Sequence, residues 1–186
     1  AFAAVFALSG AVGPIVGQNA GAMRYDRVRS TLWNTLQFNV IYVAVVWLLL
    51  YLSANLIVEV FSATDQAAEL ILFYCHFLVG AFVFNGILFV SNASFNNLHH
   101  AHWATCFNFG RAVLGTIPAV YLGARWFGPK GVLAGEAVGA MLFGMLAMIA
   151  AFALVRRLER EELPLARDPL VTADTAELRI SRESPL

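Results

Sequence analysis

The chain alternates long apolar runs with short polar segments, a pattern typical of a protein that crosses a membrane several times. Residues 1–23, 30–58 and 70–110 contain no Asp, Glu, Lys or Arg. A helix needs about 20 apolar residues to cross the hydrocarbon core. Because a helix rises about 1.5 Å per residue, residues 70–110 are too long for one crossing, and a cluster of Asn and His at 96–102 divides them. We therefore predict five transmembrane helices, at about 1–22, 33–58, 68–93, 104–126 and 131–155.

The continuity of these runs argues against a transmembrane β-barrel. Barrel strands alternate apolar and polar residues over segments of about ten positions. The segment VIYVAVVWLLLYL (40–52) is apolar without such alternation. We therefore expect an all-α fold, a polytopic bundle of transmembrane helices.

Composition fits a membrane protein and removes one class of partner. Hydrophobic residues make up 60% of the chain and charged residues 13%, whereas a soluble domain has about 25% charged residues. The formal net charge is zero, so we expect no basic surface for nucleic acid. The partner that this composition predicts is the lipid bilayer.

Arginines set the expected orientation. The loop after the first predicted helix holds Arg24, Arg27 and Arg29, and the segment after the last one begins with Arg156 and Arg157. By the positive-inside rule both segments are cytoplasmic, and five crossings would indeed place them on the same side. We expect a multi-pass protein of the inner (plasma) membrane with a cytoplasmic C-terminus.

The two ends of the chain carry predictions of their own. The first residues, AFAAVFALSG, have the composition of a helix interior and lack the charged region and cleavage site of a signal peptide. We expect a fragment that begins inside or just before a membrane helix. Residues 157–186 mix charges with prolines, which predicts a cytoplasmic tail that is disordered beyond a short extension of the last helix.

Polar residues inside the apolar runs are the first candidates for function, because a polar group in a membrane must find a partner or line water. In the first run, small residues at three- and four-residue spacings predict a groove for another helix, and Pro14 predicts a kink. The amides cluster toward the predicted cytoplasmic side of three helices. They could form hydrogen bonds between helices or line a shared wet vestibule. The amides that we select as transport-pathway candidates are Gln18, Asn19, Asn39, Asn85 and Asn92.

Two ionisable residues complete the candidate set. Arg111 lies about two turns into the fourth predicted helix, where it could extend to the cytoplasmic surface or form a structural or gating ion pair. Glu136 lies among small residues in GVLAGEAVGA (131–140). A packing role and a proton- or cation-linked role are both open for it. His76, about two turns into the third helix, is interpreted as a histidine satisfied within the core.

Catalytic and metal-binding motifs are missing from the sequence. There is no GxSxG, HExxH, P-loop or CxxC, so we predict neither an enzyme nor a cofactor. Cys75 and Cys106 have no metal-ligand spacing. His99, His100 and His102 could bind a metal, but without a nearby carboxylate or cysteine a polar turn is favoured, and no metal site is predicted.

Three segments together resemble one family of transporters. SGAVGPIVGQNAGAMRYDRVR (9–29) resembles the eighth helix and following loop of the multidrug and toxic compound extrusion (MATE) transporters. SNASFNNLHHAHWATCFNFGRAVLGTIP (91–118) resembles the link between their tenth and eleventh helices, and GPKGVLAGEAVGA (128–140) resembles the beginning of the twelfth. The resemblance covers nearly all of residues 1–156, in the order of helices eight to twelve.

The resemblance implies a fold and a function. Residues 1–156 would form most of the second of two six-helix bundles, and would lack the N-terminal bundle of the same polypeptide and the seventh helix. The whole would be a secondary active antiporter that exports organic cations and drugs in exchange for protons or sodium ions. Part of the family carries a coupling carboxylate on the tenth helix, but the corresponding segment here has none, so the coupling ion stays open. A flippase for lipid-linked sugars, a structural membrane subunit and a membrane-embedded enzyme are the alternatives.

Overall fold

The computed structural model describes residues 2–166, and these are helical with short connecting turns and no strand. The prediction of an all-α fold is confirmed. The helices are α1 (Phe2–Gly21), α2 (Tyr25–Val60), α3 (Asp65–Phe73), α4 (Phe82–Asn97), α5 (Ala101–Gly110) and α6 (Ile117–Ala166). A π-helical segment, Tyr74–Leu78, and a 3-10 turn, Val79–Ala81, join α3 to α4, while a second π-helical segment, Arg111–Thr116, joins α5 to α6.

Within the described residues, four continuous helical stretches are long and apolar enough to cross a membrane. The last stretch contains two of the five predicted spans, 104–126 and 131–155. The two are separated by Gly128, whose backbone (φ 59°, ψ −141°) is not helical. The membrane bounds of the five spans stay predictions. The four stretches are Ala3–Gly21, Tyr25–Val60, Asp65–Asn97 and Ala101–Glu161.

The chain reverses direction at Gly128, so α6 is a helical hairpin with a first arm (117–127) and a second arm (129–166). Glycines hold the second arm close to the chain on the other side of the turn. A Cβ placed on Gly135 would lie 2.6 Å from the Val120 nitrogen, and one on Gly139 would lie 2.9 Å from the Thr116 nitrogen. Small residues allow membrane helices to pack backbone to backbone in this way. The close contact sets the depth at which second-arm side chains face α5.

Helix α4 lies at the centre of the bundle, where it packs against α1, α2, α5 and α6. The main cluster of buried side chains comes from the second half of α1, the first half of α2, α4 and the second arm of α6; it includes Val16, Val28, Phe95 and Val155. These segments meet at one end of the bundle, which is also the end that carries the arginine-rich loop. The packed core is therefore at the predicted cytoplasmic end.

The outer surface is apolar, as expected for helices in lipid. Leu52 and Leu114 are each 71% exposed, and Leu146 is 43% exposed. Helix α6 continues to Ala166, into the segment predicted to begin the tail. The rest of that predicted tail lies outside the described residues.

Candidate functional site

The central feature of the site is an ion pair between the π-helical segment after α5 and the second arm of α6. The Arg111 guanidinium donates a hydrogen bond from Nη2 to the Glu136 Oε1 atom at 3.1 Å. The side chains are 25% and 55% exposed, respectively. Placing one arginine at the centre of a membrane helix costs about 2.5–3.5 kcal/mol on insertion scales, and an opposite charge within hydrogen-bond distance offsets part of that cost. Of the two roles open for Arg111, the structure therefore places it in an ion pair.

Local packing holds Arg111 in position. Gly110 and Gly115 flank it, and the Phe143 ring of the second arm lies directly against both of them. A Cβ on Gly110 would lie 2.6 Å from Phe143 Cε1, and one on Gly115 would lie 2.9 Å from Phe143 Cδ2. The aromatic ring thus fits where the neighbouring helix lacks side chains. As a result, Glu136, two turns before Phe143 on the second arm, comes within reach of the guanidinium.

Two π-helical segments contribute residues to the site around the Arg111–Glu136 ion pair. Arg111 is the first residue of Arg111–Thr116, and Tyr74 is the first residue of Tyr74–Leu78. Such segments insert an extra residue into a helix and occur frequently at functional sites. Tyr74, Asn85 and Glu136 line one small cavity together with Leu78 and Phe82. Glu136 therefore contacts Arg111 and also faces a cavity between the π-helical segment after α3, α4 and the second arm of α6.

A second polar contact lies further along α4, between Asn92 and Asn108. Asn92 lies two turns after Asn85, and its Nδ2 donates to Asn108 Oδ1 at 3.3 Å. The Asn108 amide in turn donates to the Ala104 carbonyl at 2.8 Å. The Asn92 Oδ1 atom is buried without a hydrogen-bond partner. Asn108 was absent from the sequence candidates, although it precedes Arg111 by one helical turn and so shares its face.

Asn39 makes a separate contact between α2 and α4. It is fully buried, and its Nδ2 donates to the Val83 carbonyl oxygen at 3.0 Å, while its Oδ1 is buried without a partner. Its carboxamide occupies the space that a side chain on Gly86 would need. For Asn39 the hydrogen bond between helices, one of the two alternatives, is what the structure shows.

The amides of α1 do not join the cluster. Gln18 is exposed, and Asn19 donates to the Ile15 carbonyl of its own helix at 2.8 Å. The predicted groove of small residues on α1 is occupied in part. Gly13 and Gly17 contact the Asn97 side chain, whereas a Cβ added to Gly10 or Gly21 would have no other part of the protein within 4 Å. The structure brings together Asn85, Arg111 and Glu136, with Asn92 along the same helix, and leaves Gln18, Asn19 and Asn39 apart from them.

The other ionisable residues lie near the helix ends, except His76, which is half-buried. Lys130 pairs with Glu69 and links the second arm to α3. The His76 ring packs against Tyr51 with 4.5 Å between ring centroids, and its carbonyl accepts a hydrogen bond from Trp47 Nε1 at 3.1 Å. The three histidines after α4 lie at the turn into α5, where His100 Nδ1 is 2.7 Å from the Leu98 carbonyl oxygen. Across residues 2–166, no three His, Cys, Asp or Glu side chains are grouped closely enough to hold a metal ion.

Comparison with known proteins identifies what this arrangement is similar to. The MatE family model matches residues 1–122. A FAD transporter of Shewanella oneidensis is 29% identical over 154 residues, which cover 83% of this chain and 33% of the relative. An uncharacterized 21 kDa protein in the iaaL 5′ region of Pseudomonas savastanoi is 29% identical over 180 residues, which cover 91% of this chain and 56% of the relative.

Solved structures show the same fold. The Vibrio cholerae MATE transporter VcmN in its bent form superposes with a TM-score of 0.77 at 21% identity, over 83% of this chain and 35% of that chain. The inward-facing conformation of a multidrug resistance MATE family transporter gives a TM-score of 0.74 at 13% identity, over 82% of this chain and 36% of that chain. This chain thus spans about a third of the length of these transporters.

Proposed function

Because the chain belongs to the MatE family, we propose that it forms most of the second helical bundle of a secondary active antiporter. The antiporter would export organic cations, including drugs, in exchange for protons or sodium ions. The resemblance found in the sequence is confirmed at the level of the family and of the fold. The observation that supports an exchange mechanism for this chain is the Arg111–Glu136 ion pair.

Among the described residues, Glu136 is the carboxylate placed deep within the apolar spans. It lies eight residues, about 12 Å of helix, beyond the turn at Gly128. Asp26, Glu59, Asp65, Glu69, Glu159 and Glu161 lie near helix ends or loops. A cationic solute or a coupling ion that enters the bundle therefore meets one deep negative charge among the residues that the structure describes.

The ion pair can act as an exchange site. When Glu136 is ionised, Arg111 neutralises it. A proton, a sodium ion or a cationic cargo that binds the carboxylate must displace that hydrogen bond and release the guanidinium. Half of the Glu136 side chain is exposed, so the carboxylate is accessible to such a competitor. Competition for one charged group is a direct way to couple the binding of two cations.

Asn85 can assist this exchange. Its side chain is 9% exposed, lines the same small cavity as Glu136, and makes no hydrogen bond to another of the described residues. An amide carbonyl oxygen next to a carboxylate is a suitable second ligand for a sodium ion or for a protonated amine. We propose that Asn85 and Glu136 bind the cation together.

The test uses the full-length antiporter that contains this chain, reconstituted in vesicles and loaded with ethidium. We expect a proton or sodium gradient to drive ethidium efflux, and Glu136→Gln to remove the gradient-dependent part. Glu161→Gln is the matched control, because Glu161 pairs with Arg157 on the exposed surface of α6. Unchanged efflux in Glu136→Gln under both gradients would remove Glu136 from the coupling mechanism. No driven efflux in the unmodified protein would contradict cation export itself.

Export of FAD is a second candidate, supported by the relative that carries this activity in its name. FAD carries negative phosphates, so Arg111 rather than Glu136 would bind the cargo. Arg111→Gln would then abolish FAD efflux and Glu136→Gln would not. The opposite order of effects, with ethidium as the cargo, would support the cation antiporter.

The chain is a multi-pass membrane protein by its spans and its family. We propose the inner (plasma) membrane as its location, with the arginine-rich loop and the C-terminus in the cytoplasm. The arginines near Gly21 and near Val155 support this orientation.

A further inference from the structure

A groove runs between the first half of α2 and the second arm of α6, with a volume of about 800 Å³. We call it the α2–α6 groove. It lies at the end of the bundle that carries the arginine-rich loop and the C-terminal part of α6, away from the Arg111–Glu136 cluster. Its lining includes Arg29, Trp33, Asn34, Ile149, Phe152 and Arg156.

The groove is cationic at one end and apolar further in. On α2, Arg29 lies nearest the loop and Trp33 lies one turn deeper on the same face. On α6, Arg156 lies nearest the same end, and Phe152 and Ile149 lie one and two turns deeper. Both helices therefore place an arginine at the membrane surface and apolar side chains toward the bilayer interior. Trp33 is 56% exposed and Ile149 63% exposed, so the apolar wall is open.

The two arginines leave positive charge available. Arg29 pairs with Glu159, but its Nε atom is buried without a hydrogen-bond partner. Arg156 is exposed and makes no ion pair or hydrogen bond to another of the described residues. The groove therefore holds two guanidinium groups against one carboxylate. Guanidinium groups bind phosphate oxygens in a bidentate geometry, and basic pockets between membrane helices bind anionic lipid head groups.

From this gradient of charge and polarity we propose that the α2–α6 groove binds an anionic phospholipid. The phosphate lies between Arg29 and Arg156, and one acyl chain follows Trp33, Phe152 and Ile149 into the bilayer. An apolar helix of a neighbouring protein would cover the same wall but would leave the Arg156 guanidinium without a counter-charge, since the one carboxylate, Glu159, pairs with Arg29. The proposal is independent of the cargo and of the coupling ion, because it concerns a surface that the polar cluster does not reach.

The test measures quenching of Trp33 by brominated lipids in the full-length protein that contains this chain, reconstituted in phosphatidylcholine vesicles. The vesicles contain a small fraction of brominated phosphatidylglycerol or of brominated phosphatidylcholine. The contribution of Trp33 is the difference between the unmodified chain and Trp33→Phe. We expect the anionic lipid to be preferred by about fivefold for each arginine that lines the groove.

Arg156→Gln should lower this preference about fivefold, on the same scale. Arg157→Gln should leave it unchanged, because Arg157 is the adjacent residue, is exposed, and pairs with Glu161 rather than lining the groove. Binding of phosphatidylglycerol seen by native mass spectrometry provides a second readout that does not depend on tryptophan.

Equal quenching by the two brominated lipids would overturn the proposal, as would an equal loss in Arg157→Gln. Quenching of Trp33 by neither lipid would also overturn it, because a second copy of the chain or another protein segment would then cover the groove. None of these results depends on whether the protein transports cations, so they leave the proposed transport function to its own test.

Discussion

Arg111 and Glu136 are 25 residues apart in the sequence, on opposite sides of the Gly128 turn, and their side chains meet at 3.1 Å. Removal of either partner leaves the other charge alone within apolar helices. Breaking a buried pair costs about 3–5 kcal/mol. Because Glu136 is 55% exposed, we expect Arg111→Gln to lower the free energy of unfolding by only about 1–2 kcal/mol. The double variant Arg111→Gln/Glu136→Gln should be more stable than Arg111→Gln.

Unfolding of the detergent-solubilised chain by a denaturing surfactant measures both variants. A double variant that is less stable than each single variant would contradict the ion pair. The single variant Glu136→Gln completes the cycle, and its interaction free energy with Arg111 should be favourable.

The Gly128 turn requires a backbone conformation that favours glycine. With φ of 59° and ψ of −141°, it lies in a region that side-chain-bearing residues rarely adopt. No heavy atom lies within 4 Å of the position of an added Cβ, so an effect of Gly128→Ala arises from the backbone alone. We expect a loss of about 1–3 kcal/mol in the free energy of unfolding.

Gly10→Ala is the control for this substitution. Gly10 is helical and also has open space around its Cβ position, so alanine there should be neutral or slightly stabilising. Equal stability of Gly128→Ala and Gly10→Ala would show that the chain does not turn at Gly128 in the described way.

Asn39 and Gly86 form a second pair that can be tested. A methyl group on Gly86 would overlap the Asn39 carboxamide, so Gly86→Ala should destabilise the chain by about 1–3 kcal/mol through overpacking. Asn39→Ala should cost less, about 0.6 kcal/mol, which is typical of one hydrogen bond between membrane helices. In the double variant the clash is absent, so its stability should exceed that of Gly86→Ala. If the double variant is less stable than Gly86→Ala, α2 and α4 do not meet at these residues.

The orientation is tested by cysteine labelling in cells. After replacement of Cys75 and Cys106 by alanine, a single cysteine is introduced at Asp26, in the first turn of α2, or at Thr64, just before α3. A membrane-impermeant maleimide should label Thr64→Cys in intact cells and Asp26→Cys only after permeabilisation. The reverse result would place the arginine-rich loop outside the cytoplasm.

The helices could be predicted from the sequence because hydropathy and length determine them almost alone. Charge-free runs longer than about 20 residues have few alternatives to a membrane helix. The turn at Gly128 could also be predicted, because a short polar segment between 126 and 131 separates two apolar runs. The two π-helical segments could not be predicted, because their residues have the same apolar pattern as the regular helix around them.

The partners of the polar residues were harder to predict. An arginine two turns into a helix can extend to the surface or pair with a distant carboxylate, and these outcomes differ by only a few kcal/mol. Which outcome Arg111 adopts depends on the packing of Phe143 against Gly110 and Gly115, because this packing brings Glu136 to the same depth as Arg111. Likewise, nothing local distinguishes Asn39, which bonds across helices, from Asn19, which bonds within its own helix.

The proposed function also predicts that the chain needs a partner bundle. This chain covers about a third of the transporters that it matches, so it would supply only one wall of a cavity between two bundles. We expect no gradient-driven ethidium efflux from vesicles that contain the 186-residue chain alone. Driven efflux from that preparation, absent in empty vesicles, would show that one bundle is sufficient.

The most direct measurement compares coupling with folding in one variant. Arg111→Gln/Glu136→Gln removes both charges and so leaves neither unpaired. In the full-length antiporter we expect this double variant to fold, but its ethidium efflux should no longer respond to a proton or sodium gradient. Efflux that responds to the gradient as in the unmodified protein would mean that the Arg111–Glu136 pair only holds the helices together, and would contradict its role as the exchange site.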